Sequence, residues 1–376
     1  MEPGPPLHLA YLADPTSVHT QRWLGFFAAR GHRVSLLVGM NDPADDSLDP
    51  RVEVHRYPRF GPRRVPFLSS LQGRGSLRRL LAQLRPDVLH AHYLSRYGWQ
   101  ARLSGFHPYV VTPWGSDLLV TPRRSLRARA WARATLRGAD LVTAHSQQLR
   151  EVAVAMGARP ERIERVEFGV DTAALAPGEP DAERLAALGL HGRRLVFSPR
   201  AARPNYRQDL VIAALAHLPQ DVAVVIPGRN GDASVLEQLQ ASAAALGAGE
   251  RVHVLPDIEP TLMLDLYRAA AVVVSVPDSD GLPVTLLEAM ACGTPAVASD
   301  LPGPREALGP EGSRFVVPRG DAAALADAVN AVLSMPAADR EALGAALRAR
   351  AVAEFDATRS MLRMESLYRG LGGTPA

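Results

Sequence analysis

The sequence predicts an α/β protein built from two doubly wound domains, each with a parallel sheet covered on both faces. Three observations predict it. Short runs such as YVVT (109–112) are apolar throughout, as strands buried on both faces are. These runs alternate with segments whose apolar residues recur at helical spacing. The alternation pauses in a Gly- and Pro-containing stretch near residues 169–190 and then restarts. A chain of 376 residues suits two domains of roughly 100 to 200 residues each.

In chain order, LHLAYLA (Leu7 to Ala13) reads as a buried strand. Val18, Trp23, Leu24, Phe26 and Phe27 then give one helical face, and Gly31 ends that helix. VSLLVG (Val34 to Gly39) is the next strand, so the opening is a βαβ unit. VEVHRYP, a helix around Ser76 to Leu84, PDVLHAH, PYVVTPW and ADLVTAHS continue the pattern. After the connection come RRLVFSP, a helix from about Arg207 to Leu218, VAVVIPG, a helix around Ala233 to Leu246, and VHVLP. LDLYRAAAVVVSVP, a helix starting near Pro283 and AVASD follow, and the stretch from Asp339 to Leu371 reads as entirely helical. Ligands of open parallel sheets sit at the carboxyl ends of the strands. Two such sheets facing each other would form a cleft there.

Composition excludes several classes. A hydrophobic content of 47% is ample for buried cores. Cys292 is the one cysteine, so no intramolecular disulfide forms, and a reducing, cytoplasmic setting is expected. The opening MEPGPPLHLAYLAD has no basic region and is broken by Pro and Asp, so it reads as neither signal peptide nor spanning helix. No window is long and apolar enough to cross a bilayer. There is no Lys. Residues 1–175 hold 24 Arg against 15 acids, and the remainder holds 18 Arg against 24 acids. The basic half suits an anionic membrane, nucleic acid or phosphorylated ligands, and equally a solvated surface. Nucleic-acid motifs are absent, so nucleic acid is not an expected partner. Dinucleotide and phosphate-loop glycine signatures are also absent. No His/Cys metal spacing and no acid pair is read as a divalent-ion site, so no metal and no cofactor is expected.

The segment DSDGLPVTLLEAMACGTPAVASD, Asp278 to Asp300, carries the chemistry. VVVSVP is a strand and DSDGLP the turn at its carboxyl end. Pro283 suits a first helical position, which leaves the N–H groups around Gly281 to Val284 unpaired. Such a helix start is an anion site that a diphosphate fits. Glu288 lies in the apolar run among Leu287, Ala289 and Met290, where a buried carboxylate needs donors such as sugar hydroxyls.

This segment resembles the signature of retaining glycosyltransferases of the group 1 type, also called family four. That signature is a Glu, seven residues, a second Glu, then Ala-Met-Ala-x-Gly-x-Pro. Asp280 stands at the first acid and Glu288 at the second. ADPTSVHTQRWLGFFAARGHRV, PDVLHAH, VVTPWGSD, FGVDTAALAP, SPRAARPNYRQDLVIAAL and RVHVLPDIEPTLMLDLYRAAAVVVSVP resemble further motifs in the family's order, so the likeness covers nearly the whole chain.

The resemblance implies a GT-B fold of two Rossmann-like domains, with residues 1–172 on the acceptor side, residues 173–355 binding the donor, and residues 356–376 as a last helix crossing back. It implies that Glu288 binds the ribose of a nucleotide-diphosphate sugar. Asp280 and the Gly281, Leu282, Pro283 and Val284 backbone hold the sugar and diphosphate. Arg200 pairs with the diphosphate through its multi-donor head. Ile258 lies near the base. The family's Lys after that Arg has no counterpart; Arg203 and Arg207 are the substitutes, Arg207 being preferred. Trp114 occupies the place where many members have His, which leaves His19, His92 and Asp117 as acceptor-side candidates.

Plainer readings stand beside these. Asp280 serves equally as a helix cap, and Glu288 as the partner of Arg305 or Arg200 in a structural pair. His19 suits capping or packing as well as a ligand; His32, Trp23 and Cys292 suit packing. The run RRSLRARAWARATLR (Arg123 to Arg137) fits an anionic membrane surface and a solvated helix face alike, and RYPRFGPRR and RGSLRR raise the same question. The expected activity is transfer of a sugar, with retention, from a nucleotide-diphosphate sugar to a hydroxyl acceptor. Another GT-B enzyme such as a nucleotide-sugar epimerase, or a non-catalytic partner subunit, is the alternative.

Overall fold

The computed structural model describes residues 4–40, 42–43, 47–58 and 66–372. Residues 59–64 of the RYPRFGPRR run lie outside them. The chain forms two compact units: the first runs to Phe168 and resumes at Arg359, and the second spans Gly169–Thr358.

Among the described residues the first unit holds seven strands: β1 His8–Leu12, β2 Arg33–Gly39, β3 Glu53–Tyr57, β4 Val88–His92, β5 Tyr109–Thr112, β6 Leu141–Ala144 and β7 Ile163–Arg165. Their order is β3-β2-β1-β4-β5-β6-β7, every pair parallel. Alternate side chains serve the two faces. Ala10, Leu12, Leu37, Leu89 and Val111 join one buried cluster; Leu9, Tyr11, Leu36, Val88 and Val110 join the other. Edge strand β3 alternates half-exposed and exposed positions, and its Glu53 accepts two bonds from Arg33 of β2.

The last helix, Ala357–Gly372, supplies Met361, Met364 and Tyr368 to the second of these clusters. The Tyr368 hydroxyl lies 3.1 Å from that of Tyr11 and 2.5 Å from His90 Nδ1, and accepts from Trp23 Nε1 at 3.3 Å. His90 Nε2 is 2.7 Å from the Thr112 hydroxyl. These polar groups are buried and pair with one another, as such groups must.

The second unit holds six parallel strands: β8 Arg194–Phe197, β9 Val222–Pro227, β10 Val252–Leu255, β11 Ala270–Ser275, β12 Ala296–Ser299 and β13 Val316–Val317. Their order is β10-β9-β8-β11-β12-β13. In each sheet the order reverses once, between β1 and β4 in the first and between β8 and β11 in the second. Crevices open at the carboxyl ends of strands at such reversals.

Three sequence expectations change. β7, in which only Ile163 is apolar, and β13, only two residues long, are too short to be read from pattern. The C-terminal stretch is two helices, Ala337–Glu354 and Ala357–Gly372. Between them Phe355 accepts from Val170 N, and Ala357 N donates back to Val170 O, so a strand-like bridge interrupts the helical bonds. Pro283 sits one position before its helix, Val284–Ala291, with extended backbone. Among the described residues no helix is long and apolar enough to cross a membrane.

Candidate active site

In the second unit, the loops after β8 and β11 meet at the reversal. Asp278 N donates to Asn205 O, and Asn205 Nδ2 donates to Ser279 O, both at 2.9 Å. Arg207 Nη1 donates to Asp278 Oδ1 at 3.0 Å. Ser299 Oγ donates to Pro277 O at 2.9 Å. A fifth restraint lies in Gly303, in helix Pro302–Gly312. A Cβ there would stand 1.6 Å from Gly281 O, so this position admits only glycine while the loop keeps its place. Nothing in the sequence motif pointed to Gly303 or Asn205, because their effect depends on a contact between separate loops.

The loops present Arg200 and Asp280 side by side. Arg200 Nη2 is 3.3 Å from Asp280 Oδ2, and both side chains are largely buried. The guanidinium also lies 4.1 Å over the Tyr206 ring, which holds it in place. Asp280 Oδ1 accepts from Gly281 N at 2.9 Å. Asp280 Oδ2 is buried, and its contact with Arg200 is too poorly aligned to count as a hydrogen bond. A buried carboxylate oxygen without a hydrogen bond carries a penalty of about 1–3 kcal/mol, which the Arg200 charge beside it offsets in part.

Glu288 is half-buried rather than sunk in the core, since the first turns of its short helix open to the crevice. Its Oε2 accepts from the Tyr267 hydroxyl at 2.7 Å. Burial, and then Glu288, hold that phenol's pKa well above its ordinary value. Arg305 is turned away onto Asp300, at 2.5 and 2.8 Å, so the structural pair considered for Arg305 and Glu288 is not formed. Gly281 N is used by Asp280, so the expectation of an unpaired amide there is corrected; Leu282, Val284 and Thr285 carry the amides left at the helix start.

Arg207 does not extend toward the helix start. It adopts a left-handed backbone (φ 51°) and donates to Asp209 and Asp278, so it braces the loops. Those carboxylates, Asp209 foremost, raise its pKa. Arg203 is exposed, and its Nε donates to Asn230 O. Ile258 packs half-buried on the core of this unit. An Asp-x-Asp spacing does stand at a strand end, Asp278 and Asp280. Their carboxylates face Arg207 and Arg200. Among the described residues no group of three or more His, Cys, Asp or Glu is placed to hold a metal ion.

In the first unit, a cavity of about 240 Å³ opens at the β1/β4 reversal. Asp14 and Ser17 line it from the loop after β1, His92, Tyr93, Arg96 and Tyr97 from the end of β4 onward, and Trp114 from the loop after β5. His92 is 1% exposed, and neither ring nitrogen has a hydrogen-bond partner; the Trp114 indole N–H has none either. Burial, then the neighbouring His19, push the His92 pKa down to about 3. His19 is half-buried, stacks on Phe168 at 5.2 Å and meets Trp114 edge-on at 5.6 Å.

Asp117 has a different place from the acceptor-side contact expected of it. It is fully buried and accepts from Leu94 N (2.5 Å), Trp114 N (2.9 Å) and Gly115 N (2.9 Å). One carboxylate thus pins two walls of the cavity, which explains its turning inward. Burial pushes its pKa up to about 6 against the opposing pull of those amides.

Two parallel doubly wound units, each with a crevice at its reversal, define a GT-B protein. Solved structures share the architecture. The Anabaena protein HepE, in complex with UDP, matches 97% of this chain and 100% of its own at a TM-score of 0.81 and 19% identity. Sucrose-phosphate synthase from Thermosynechococcus elongatus matches 97% and 99% at a TM-score of 0.81 and 22% identity. Residues 183–350 match the family described as glycosyl transferases group 1, and residues 8–146 the family described as glycosyl transferase 4-like. The chain belongs to the group 1 glycosyltransferase family. It is 32% identical over 271 residues to D-inositol 3-phosphate glycosyltransferase 1 of Catenulispora acidiphila, covering 67% of this chain and 65% of that protein. The chain spans less than two thirds of the length of the first curated relatives it matches, between 59 and 65%.

Proposed function

We propose that the protein is a retaining glycosyltransferase that uses a nucleotide-diphosphate sugar and a hydroxyl acceptor, without a metal ion. The observation that carries this is the Arg200–Asp280 pair at the β8/β11 reversal, beside the uncapped start of helix Val284–Ala291. Arg200 and the Val284 and Thr285 amides meet the diphosphate and stabilise its charge as it departs. The Asp280 carboxylate accepts from a hydroxyl of the donor sugar. Glu288, oriented by Tyr267, accepts from the ribose. The bond from the sugar's C1 to the phosphate oxygen breaks, and C1 joins the acceptor oxygen on the same face. The acceptor's proton passes to the departing diphosphate. UDP and UDP-glucose, bound by HepE in its solved complexes, are the first donors to try.

The test is nucleotide binding followed by product analysis. One nucleoside diphosphate or its sugar should raise the melting temperature, and Glu288→Gln should weaken its binding about tenfold, as loss of a charged hydrogen-bond acceptor does. Unchanged affinity in that variant removes the ribose assignment. Inversion at the transferred carbon, read by NMR of the product, removes the retaining one.

A peripheral contact with an anionic membrane rests on helix Leu126–Gly138 and the short helix Thr121–Arg124 before it. Arg123, Arg124, Arg127, Arg129, Arg133 and Arg137 are exposed there, as is Leu126 at 85%. Trp131 is stacked on Trp99 instead. The protein should sediment with phosphatidylserine vesicles at low salt and not with phosphatidylcholine vesicles; equal partitioning would leave these arginines as a solvated face.

A further inference from the structure

A separate cavity, of about 220 Å³, opens in the second unit at the amino ends of β11 and β12. Ala270 and Ala271 begin β11 there, and the segment from Cys292 to Pro295 leads into β12. The donor loop leaves the other end of β11. Six residues at about 3.3 Å each put roughly 20 Å between the two places, so this cavity is no part of the donor crevice. Arg268, from the end of helix Pro260–Ala269, and Arg340, from the start of helix Ala337–Glu354, both line it, and both are half-buried.

Two guanidinium groups on one small cavity repel each other unless anions neutralise them. Among the described residues no carboxylate forms an ion pair with either. Asp265, one turn before Arg268, is taken by Arg184 and by Asp181 N. The positions one turn from Arg340 are Pro336, Ala337, Leu343 and Gly344, none of them charged. Glu341 is also in the lining, but it is exposed, and consecutive helix residues do not face each other. Arg268 is already placed. Its Nε donates to Ala176 O at 2.9 Å, and its head rests on Gly178, where a Cβ would stand 3.1 Å from Cζ. Its Nη groups are left for a ligand. The Thr294 hydroxyl is spent on Tyr267 O, and burial pushes the Cys292 thiol up to about 12, so it adds no negative charge. The lining thus offers guanidinium donors and an excess of positive charge.

At about 30 Å³ per water, the cavity is room for about seven waters. A phosphate group on a body of a few carbons fills that space, and Ala270, Ala271 and Pro295 give the body an apolar side. Planar multi-donor heads match phosphate oxygens. We propose that this cavity is a second ligand site, which holds a small phosphate, free or esterified to a body of a few carbons, between Arg268 and Arg340. The site lies outside the donor crevice and does not depend on what that crevice binds.

The experiment is calorimetric titration of the full chain at low salt, with inorganic phosphate, glycerol 3-phosphate and glycerol as probes. At least one of the two phosphates should bind, and glycerol should not. Tighter binding of the ester assigns the site to a phosphomonoester; binding of inorganic phosphate at least as tight assigns it to the free ion. Arg340→Gln and Arg268→Gln should each weaken binding about tenfold, as loss of a charged hydrogen bond does. Glu341→Gln should tighten it about twofold by removing a nearby negative charge, a gain that a damaged fold would not produce. Arg200→Ala tells the two sites apart, and should leave the affinity within about twofold. Binding that vanishes with Arg200→Ala and is indifferent to Arg340→Gln belongs to the donor crevice and overturns the proposal. So does glycerol binding as tightly as its phosphate, or a folded protein that binds neither phosphate.

Discussion

Arg200→Ala should reduce turnover by about two to three orders of magnitude while the fold stays intact. Removing one preorganised donor from a developing anion costs about 10²–10³ in rate, or roughly 3–4 kcal/mol. The structural losses are smaller. The Arg200 contact with Asp280 is poorly aligned at 3.3 Å, and partly exposed pairs are worth about 0–1 kcal/mol. The stacking on Tyr206 adds roughly 0.5–1 kcal/mol. The melting temperature should therefore fall by no more than a few degrees, at roughly 2–4 °C per kcal/mol for a unit of this size. Arg200→Lys should recover part of the rate, because it keeps the charge and loses the planar head. Turnover and stability falling in proportion would show that Arg200 holds the loops together and does nothing further.

The second large effect is acid lability of the first unit. His90, His92 and His145 are 1%, 1% and 2% exposed, and burial is the first cause holding all three below their ordinary value, the latter two at about 3. In the unfolded chain they take protons near pH 6.5. The unfolded state therefore binds more protons below that pH, and stability falls with pH through the window from about 6.5 to 3. At pH 5 His92 and His145 each remove about 2 kcal/mol, and His90 acts in the same sense. Asp117, pushed up to about 6, acts in the opposite sense. Its folded form takes the proton first, so it returns roughly 1 kcal/mol between pH 7 and pH 5. The net loss is comparable to the total stability of an ordinary domain, about 5–15 kcal/mol. Urea midpoints followed by near-UV circular dichroism from pH 7.5 to 4.5 should decline steeply, and less so in the His92→Gln, His145→Gln double variant. A flat profile would mean that these rings are hydrated in solution.

The fold was largely legible from the sequence because strands buried on both faces leave uninterrupted apolar runs. The donor-side motif was legible as well, since its pieces are contiguous between Asp278 and Asp300. What escaped depends on contacts that pattern does not encode. Asn205 and Gly303 act on the donor loop from outside the motif. Arg207 has the right spacing for a ligand arginine, yet two nearby carboxylates capture it. Asp117 looked like a polar residue at a strand end, and only the backbone path of two loops shows that its oxygens are already taken. His92 was visible as a candidate, but its missing partners appear only in three dimensions.

The first unit is discontinuous in sequence, with Gly169–Thr358 inserted before its final helix. Tyr368, Met361 and Met364 therefore emerge from the ribosome after the whole of the second unit. Until they do, Tyr11, Trp23 and His90 lack the hydroxyl that satisfies them. The nascent amino-terminal half is thus left with an open, polar-lined hole on one side of its sheet, and the second unit can mature first. Contacts spanning more than 340 residues, such as Trp23 with Tyr368, are slow to form. Interrupting synthesis before Arg359 would release a half-built sheet prone to association, whereas the inserted unit carries all of its own core.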